Sequence, residues 1–185
     1  KAARDVPQEF VGDEAHRGDM VWSAAVPEEL RSRATAVIGN FPVSQASQYT
    51  RLEWLQTFSA GVDAYICPGV LPRGTMVTNA SGAYGQSVSE HMFATMWALM
   101  KNLNRYASNQ RDHQWQDEGP VLSPEGGIAL IIGVGDIGSH FAQLAQSVGM
   151  RTFGVRRHAD VPAKGIEKMY GFERLETLLP LADVV

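Results

Sequence analysis

The chain has 185 residues, a formal net charge of −4 and a single cysteine, Cys67. That length suffices for one large domain or two small ones, while one cysteine excludes an internal disulfide framework or thiolate cluster and fits a reducing, cytoplasmic compartment. Mild acidity argues against nucleic acid, which Lys and Arg bind by neutralising phosphates. Residues 92–100, the longest convincing apolar run, fall well short of the roughly 18 that suggest a membrane span. Residues 1–5 lack the apolar stretch of a signal peptide.

Short alternating elements fill the first part of the chain. Pro27 with Glu28 and Glu29 suits a helix start. Residues 36–40 read as a short buried strand closed by Gly39 and Asn40, and residues 52–58 as a second strand. The latter ends at Ser59-Ala60-Gly61-Val62-Asp63, where glycine permits a tight turn. After a turn at Pro72-Arg73-Gly74, residues 75–78 form a third strand. Ser87 and Glu90 have the spacing of a capping box, and residues 92–100 are apolar around most of a helix, which predicts burial. Lys101 to Arg105 form its polar end, and residues 108–127 a polar connection to a second domain. Strands alternating with helices across glycine turns predict an α/β class.

The most specific signal follows. Residues 128–132 (IALII) are a continuous apolar strand running into Gly133-Val134-Gly135-Asp136-Ile137-Gly138. Ile137, Phe141, Leu144, Ala145 and Val148 then make one helical stripe. Gly149 closes the helix, and residues 151–155 form the next strand. Strand, GxGxxG, helix and strand in that order predict a dinucleotide site. Gly133 permits the turn, Gly135 admits the pyrophosphate, and Gly138 lets the helix pack on the strand. The unpaired N–H groups at the helix start, those of Asp136 and Ile137 among them, hold the phosphates; the Asp136 side chain is expected to cap the helix. At the end of the second strand an NAD site carries an acid, whereas arginine accommodates the 2′-phosphate of NADP. Here stand Arg156 and Arg157, with no carboxylate between Asp136 and Asp160. NADP is therefore favoured, with NAD as the other possibility.

Four stretches in this order resemble the D-isomer-specific 2-hydroxyacid dehydrogenases: LEWLQTFSAGVD (52–63), LPRGTMVTN (71–79), SVSEH (87–91) and the glycine loop 133–138. The resemblance implies a flavodoxin-like substrate or lid domain over residues 1–90. It implies part of a doubly wound Rossmann NAD(P)-binding domain over 91–185. The implied reaction moves a hydride between the cofactor and a small 2-keto or 2-hydroxy acid, as in hydroxypyruvate or glyoxylate reductases. The backbone N–H groups of Ala60 and Gly61 would bind the substrate carboxylate, and Ser81 would lie near the cofactor. Family members are commonly homodimers.

The same resemblance puts the catalytic arginine, glutamate and histidine downstream of Val185, so no residue here is assigned that chemistry. His16, His91, His113, His140 and His158 show no metal spacing and no replacement role. The first strand of the substrate domain is expected to be missing, and residues 183–185 to begin a third strand of the nucleotide sheet. Such a half sheet leaves a strand edge unpaired, so the stretch is not expected to fold stably alone. The alternative function is a cofactor-binding regulatory module of the same fold without catalysis.

Overall fold

The computed structural model describes residues 26–185; residues 1–5 and His16 lie outside them. The chain divides into two compact units between Ser81 and Gly82. This is earlier than the expected 90/91 boundary, because the long helix that begins at Gly85 packs along its whole neighbour in the second unit.

In the first unit a short helix α1 (Glu28–Arg31) follows Pro27, as its acids and proline predict. Three-residue strands β1 (Ala36–Ile38), β2 (Trp54–Gln56) and β3 (Met76–Thr78) pair in parallel, in that spatial order. Leu55 sits in register between Val37 and Val77. The core gathers Phe41, Ala46, Tyr49, Leu52, Leu55 and Tyr65. Phe41 stacks on Tyr49 at 4.2 Å between ring centroids. The Tyr65 hydroxyl donates to the Phe41 carbonyl at 2.6 Å and accepts from its N–H at 3.1 Å, so its own polar end is paired, whereas the buried Tyr49 hydroxyl has no hydrogen-bond partner among the described residues. Tyr65 comes from α2 (Asp63–Ile66), the one-turn helix after β2.

In the second unit α3 (Gly85–Met100) starts after Tyr84, so Ser87 and Glu90 lie inside it and the expected capping box does not form. Glu90 instead accepts from the Gln86 side chain at 2.9 Å. The helix is not buried all round: Met96 and Met100 enter the core while Leu99 is 66% exposed. Asn102, in the left-handed region at φ 54°, then turns the chain into α4 (Leu103–Arg111). Asparagine tolerates that conformation. What reads in sequence as a helix end and a loop is thus a second helix. The polar stretch beyond it is tied down by Glu118, whose carboxylate accepts from Asn109 at 2.6 Å and whose N–H donates to the Tyr106 hydroxyl.

The nucleotide-type sheet comprises β4 (Ile128–Ile132), β5 (Arg151–Val155) and β6 (Lys168–Tyr170), all parallel. Helix α5 (Asp136–Ser147) joins β4 to β5. Alternation along β4 serves two cores. Ala129 and Ile131 pack with Phe141, Ala142 and Ala145 of α5 and with Met96 and Met100 of α3. Leu130 packs on the other face with Phe153, Val155 and Leu178, the last from the short helix α6 (Leu175–Leu178). The third strand is β6, not residues 183–185 as the sequence suggests. Val184 instead bridges to Ala129 on the opposite flank of β4, where the Leu130 N–H donates to the Val184 carbonyl at 2.8 Å. The chain therefore leaves β4 to one side and returns to it on the other, the arrangement of a doubly wound sheet.

Two outcomes follow from this packing. A Cβ on Gly138 would overlap the Gly133 carbonyl oxygen and come within 3.1 Å of Ile131 Cγ2. Overpacking of this kind costs about 1–3 kcal/mol, against about 1 kcal/mol gained in helix propensity. The backbone oxygen cannot rotate away, so Gly138→Ala should lower the denaturant midpoint of the full-length protein; an unchanged midpoint would contradict the close approach. Separately, Arg151 donates to Glu167 at 2.8 and 3.1 Å, across the start of β5 and the residue before β6. These hydrogen bonds, aided by the guanidinium charge, hold the Glu167 carboxyl below the usual carboxylate range. A depressed folded-state pKa stabilises above the unfolded value and loses that contribution as pH falls through the folded one. The stability difference between the protein and Glu167→Gln should accordingly be present at neutral pH and shrink in acid; a pH-independent difference would disprove the linkage.

Candidate functional site

Both units place their loops of interest at the carboxyl ends of parallel strands, where open α/β sheets bind ligands. In the second unit the loop leaves β4 at the point where the strand order reverses. Gly133 takes φ +93°, a conformation that side chains rarely adopt. Its N–H still closes the sheet, donating to the Val155 carbonyl at 2.9 Å. Gly135 precedes α5, and a Cβ there would meet nothing within 4 Å, so the space above it is open. The first bond of the helix runs from the Ser139 N–H to the Gly135 carbonyl at 3.0 Å. The N–H groups of Asp136, Ile137 and Gly138 therefore have no helical partner and carry the positive end of the helix dipole. A tight turn, an open cradle and free donors fit a diphosphate.

The expected capping role of Asp136 does not form. Gly135 occupies the cap position, and no side chain bonds there. The Asp136 carboxylate instead lies over the start of α3, with both oxygens 2.5 Å from where a Gly85 Cβ would stand. Its Oδ1 is 3.4 Å from His140 Nδ1, which also sits 2.9 Å from the Asp136 carbonyl. The acid inside the glycine loop is thus turned toward a second helix start, a placement that no local sequence rule reveals.

The two arginines after β5 differ. Arg156 is half-buried, and its guanidinium donates to three carbonyls: His158 at 2.9 Å, Val134 at 3.3 Å, and Val161. Arg156 thereby ties the segment after β5 to the glycine loop itself. Arg157 is exposed, and no hydrogen bond or ion pair engages its side chain among the described residues.

In the first unit, residues 59–61 follow β2 and are braced by the loops after β1 and β3. Asn40 accepts from the Phe58 N–H at 2.9 Å and donates to Ser59 Oγ at 3.2 Å. Ser59 Oγ donates to the Gly61 carbonyl at 2.8 Å. Asn79 donates to the Ala60 carbonyl at 2.6 Å. The N–H groups of Ala60 and Gly61 have no protein acceptor among the described residues. Ser81, the last residue of this unit, donates its N–H to Asn79 Oδ1 at 3.3 Å and is exposed. In the sequence Asn40 reads only as a turn residue and Asn79 has no site role; the available signal is an asparagine one or two residues past the end of each flanking strand. Among the described residues, no group of three or more His, Cys, Asp or Glu side chains could hold a metal, and no helix is long and apolar enough to cross a membrane.

Glycerate dehydrogenase of Methylorubrum extorquens is 25% identical over 169 residues, covering 86% of this chain and 51% of that protein. D-3-phosphoglycerate dehydrogenase of Bacillus subtilis is 30% identical over 105 residues, 56% of this chain and 20% of that protein. The crystal structure of a D-isomer specific 2-hydroxyacid dehydrogenase family protein from Aeromonas salmonicida superposes with a TM-score of 0.75 at 29% identity, covering 84% of this chain and 50% of that one. The chain spans about half the length, or less, of the curated relatives it matches. The profile of the D-isomer specific 2-hydroxyacid dehydrogenase NAD binding domain matches residues 93–185, which contain the glycine loop and its entire sheet. By that match the chain belongs to the D-isomer specific 2-hydroxyacid dehydrogenase family.

Proposed function

We propose that this chain is part of an NADP-linked oxidoreductase acting on a small 2-keto or 2-hydroxy acid. The observation that carries the proposal is the glycine loop: a left-handed Gly133, an open Gly135 and free first-turn N–H groups on α5. When bound, the nicotinamide cofactor supplies or accepts the hydride. The residues present here bind and orient. The N–H groups of Asp136, Ile137 and Gly138 hold the diphosphate, and those of Ala60 and Gly61 receive the substrate carboxylate. Ser81 is kept as a cofactor neighbour, on the family resemblance. Proton transfer is not assigned to any residue of this chain. Glyoxylate and hydroxypyruvate are the proposed substrates, on the resemblance and on the glycerate dehydrogenase relative.

Cofactor choice follows from the division of labour between the arginines. Arg156 is committed to backbone carbonyls, so Arg157 is the proposed contact for the 2′-phosphate and Arg156 the brace that holds the loop. The test is titration of the full-length protein with NADPH and NADH, followed by reduction of glyoxylate and hydroxypyruvate. Arg157→Ala should weaken NADPH about tenfold or more, the scale of one charge-assisted hydrogen bond, and leave NADH unchanged. Gly135→Ala should weaken both cofactors without lowering the melting temperature, because a methyl group there fills the cradle and strikes no protein atom. Equal binding of the two cofactors by the unaltered protein would remove the NADP assignment.

The proposal includes a homodimer. Leu99 is 66%, Leu103 51% and Leu122 60% exposed, and the Leu122 N–H donates to the Met100 carbonyl, which keeps Leu122 beside the end of α3. Apolar surface of this kind favours burial. Sedimentation equilibrium should give a dimer, weakened by Leu99→Asp; a monomer at micromolar concentration would overturn this part.

A further inference from the structure

We infer that Asn79 and Thr57 are positioning residues that aim the Ala60 and Gly61 N–H groups at a carboxylate. The inference rests on the proposed reading of that peptide pair as the carboxylate contact. It accounts for the direction in which these two adjacent N–H groups of the loop point.

In a trans peptide the C=O of one residue and the N–H of the next point to opposite sides. The Ser59 carbonyl shares its peptide plane with the Ala60 N–H. That carbonyl accepts from the Thr57 hydroxyl at 2.7 Å and from the Ala80 N–H at 3.1 Å. The Ala60 carbonyl shares its plane with the Gly61 N–H, and it accepts from Asn79 Nδ2 at 2.6 Å. Two consecutive carbonyls are thus drawn toward the segment after β3. Their two N–H groups are turned the other way, side by side, as a backbone concavity for an anion requires.

The donors are themselves fixed. Thr57 is fully buried. Its own N–H bonds the Thr78 carbonyl at 2.9 Å, so the hydroxyl starts from the sheet. Asn79 uses both ends of its amide: Nδ2 donates to the Ala60 carbonyl while Oδ1 accepts the Ser81 N–H. That pairing leaves the amide only one orientation, since exchanging its ends would face oxygen with oxygen and N–H with N–H. On the opposite flank, Asn40 holds the Phe58 N–H and the Ser59 hydroxyl in the same two-ended way. The loop is therefore clamped from both neighbouring strands, with the Ser59, Ala60 and Gly61 carbonyls engaged and the Ala60 and Gly61 N–H groups without a protein acceptor among the described residues.

The discriminating variant is Asn79→Asp. It is isosteric and keeps the acceptor for Ser81, but replaces the donor to the Ala60 carbonyl by a carboxylate oxygen that repels it. The full-length protein is titrated with oxalate while the Ala60 and Gly61 amide resonances are followed, and steady-state kinetics are measured with glyoxylate. In the unaltered protein both amides should move on adding oxalate. In Asn79→Asp the oxalate affinity should fall and the KM for glyoxylate should rise, each about tenfold or more, with kcat and NADPH affinity changed far less. Thr57→Val should act in the same direction and more weakly, because the Ala80 N–H still holds the Ser59 carbonyl; it decides the matter if the aspartate variant does not fold. Amides that ignore oxalate in the unaltered protein would refute the carboxylate site itself. Amides that respond with equal affinity in the unaltered protein and the variants would leave that site standing and refute the positioning role.

Discussion

A planar trans peptide couples its two polar groups: whatever captures the carbonyl also decides where the N–H of the next residue points. Both units use this constraint at the carboxyl ends of their strands. In the first, Thr57, Ala80 and Asn79 draw two successive carbonyls to one side. In the second, Arg156 reaches the Val134 carbonyl, whose peptide partner is the Gly135 N–H at the mouth of α5. In the proposed function each loop would meet its anion with peptide N–H groups whose direction is set by groups bonded to the neighbouring carbonyls. On that reading a chain of net charge −4 needs no basic side chain at residues 60–61 or 133–138 to receive an anion.

Backbone donors work only where the backbone can come close, and the glycines mark those places. Gly138 lets the first turn of α5 settle against the Gly133 carbonyl and Ile131, which brings the free N–H groups up to the carboxyl end of β4. Gly85 does the same for α3, whose first turn meets the Asp136 carboxylate. An acid at the first position of α5 would oppose the proposed diphosphate if it faced the cradle. Turned toward Gly85 it lies instead beside a second helix start, where negative charge is stabilised.

Much of this was legible in the sequence where the determinants are contiguous. Residues 128–138 carry their own strand, turn and helix start, and the structure reproduces them as β4, a left-handed Gly133 and α5. Legibility failed where a distant partner decides. Strand β6 is three residues long and begins with Lys168, a pattern with no hydrophobic run; its pairing with residues 153–155 defines it. Helix α4 was hidden because Asn102 breaks the helical path for one residue and the chain then resumes it. Ser87 and Glu90 match a capping box in spacing, yet the helix begins earlier, at the glycine that admits Asp136. Ala60 and Gly61 could be singled out only by family resemblance. The place of Asn79 directly after β3 is visible in the sequence, but its use is not, since that requires β2 and β3 to lie side by side and brings Asn79 to Ala60, 19 residues earlier in the chain.

The two arginines show why composition alone misjudges such a site. Read as a pair at the end of β5, they look like two equivalent cations for one phosphate. Three carbonyls saturate much of the Arg156 fork, and one of them belongs to the glycine loop, so that residue's charge is partly neutralised by backbone dipoles and its geometry is fixed. Arg157, exposed and unengaged among the described residues, keeps its charge for solvent or ligand. In the proposed cofactor site the shared part of the nucleotide is then met by rigid peptide groups, and the part that distinguishes NADP from NAD by a single side chain. Affinity and preference are physically separable on that account, because a change at Arg157 alters no hydrogen bond that shapes the loop.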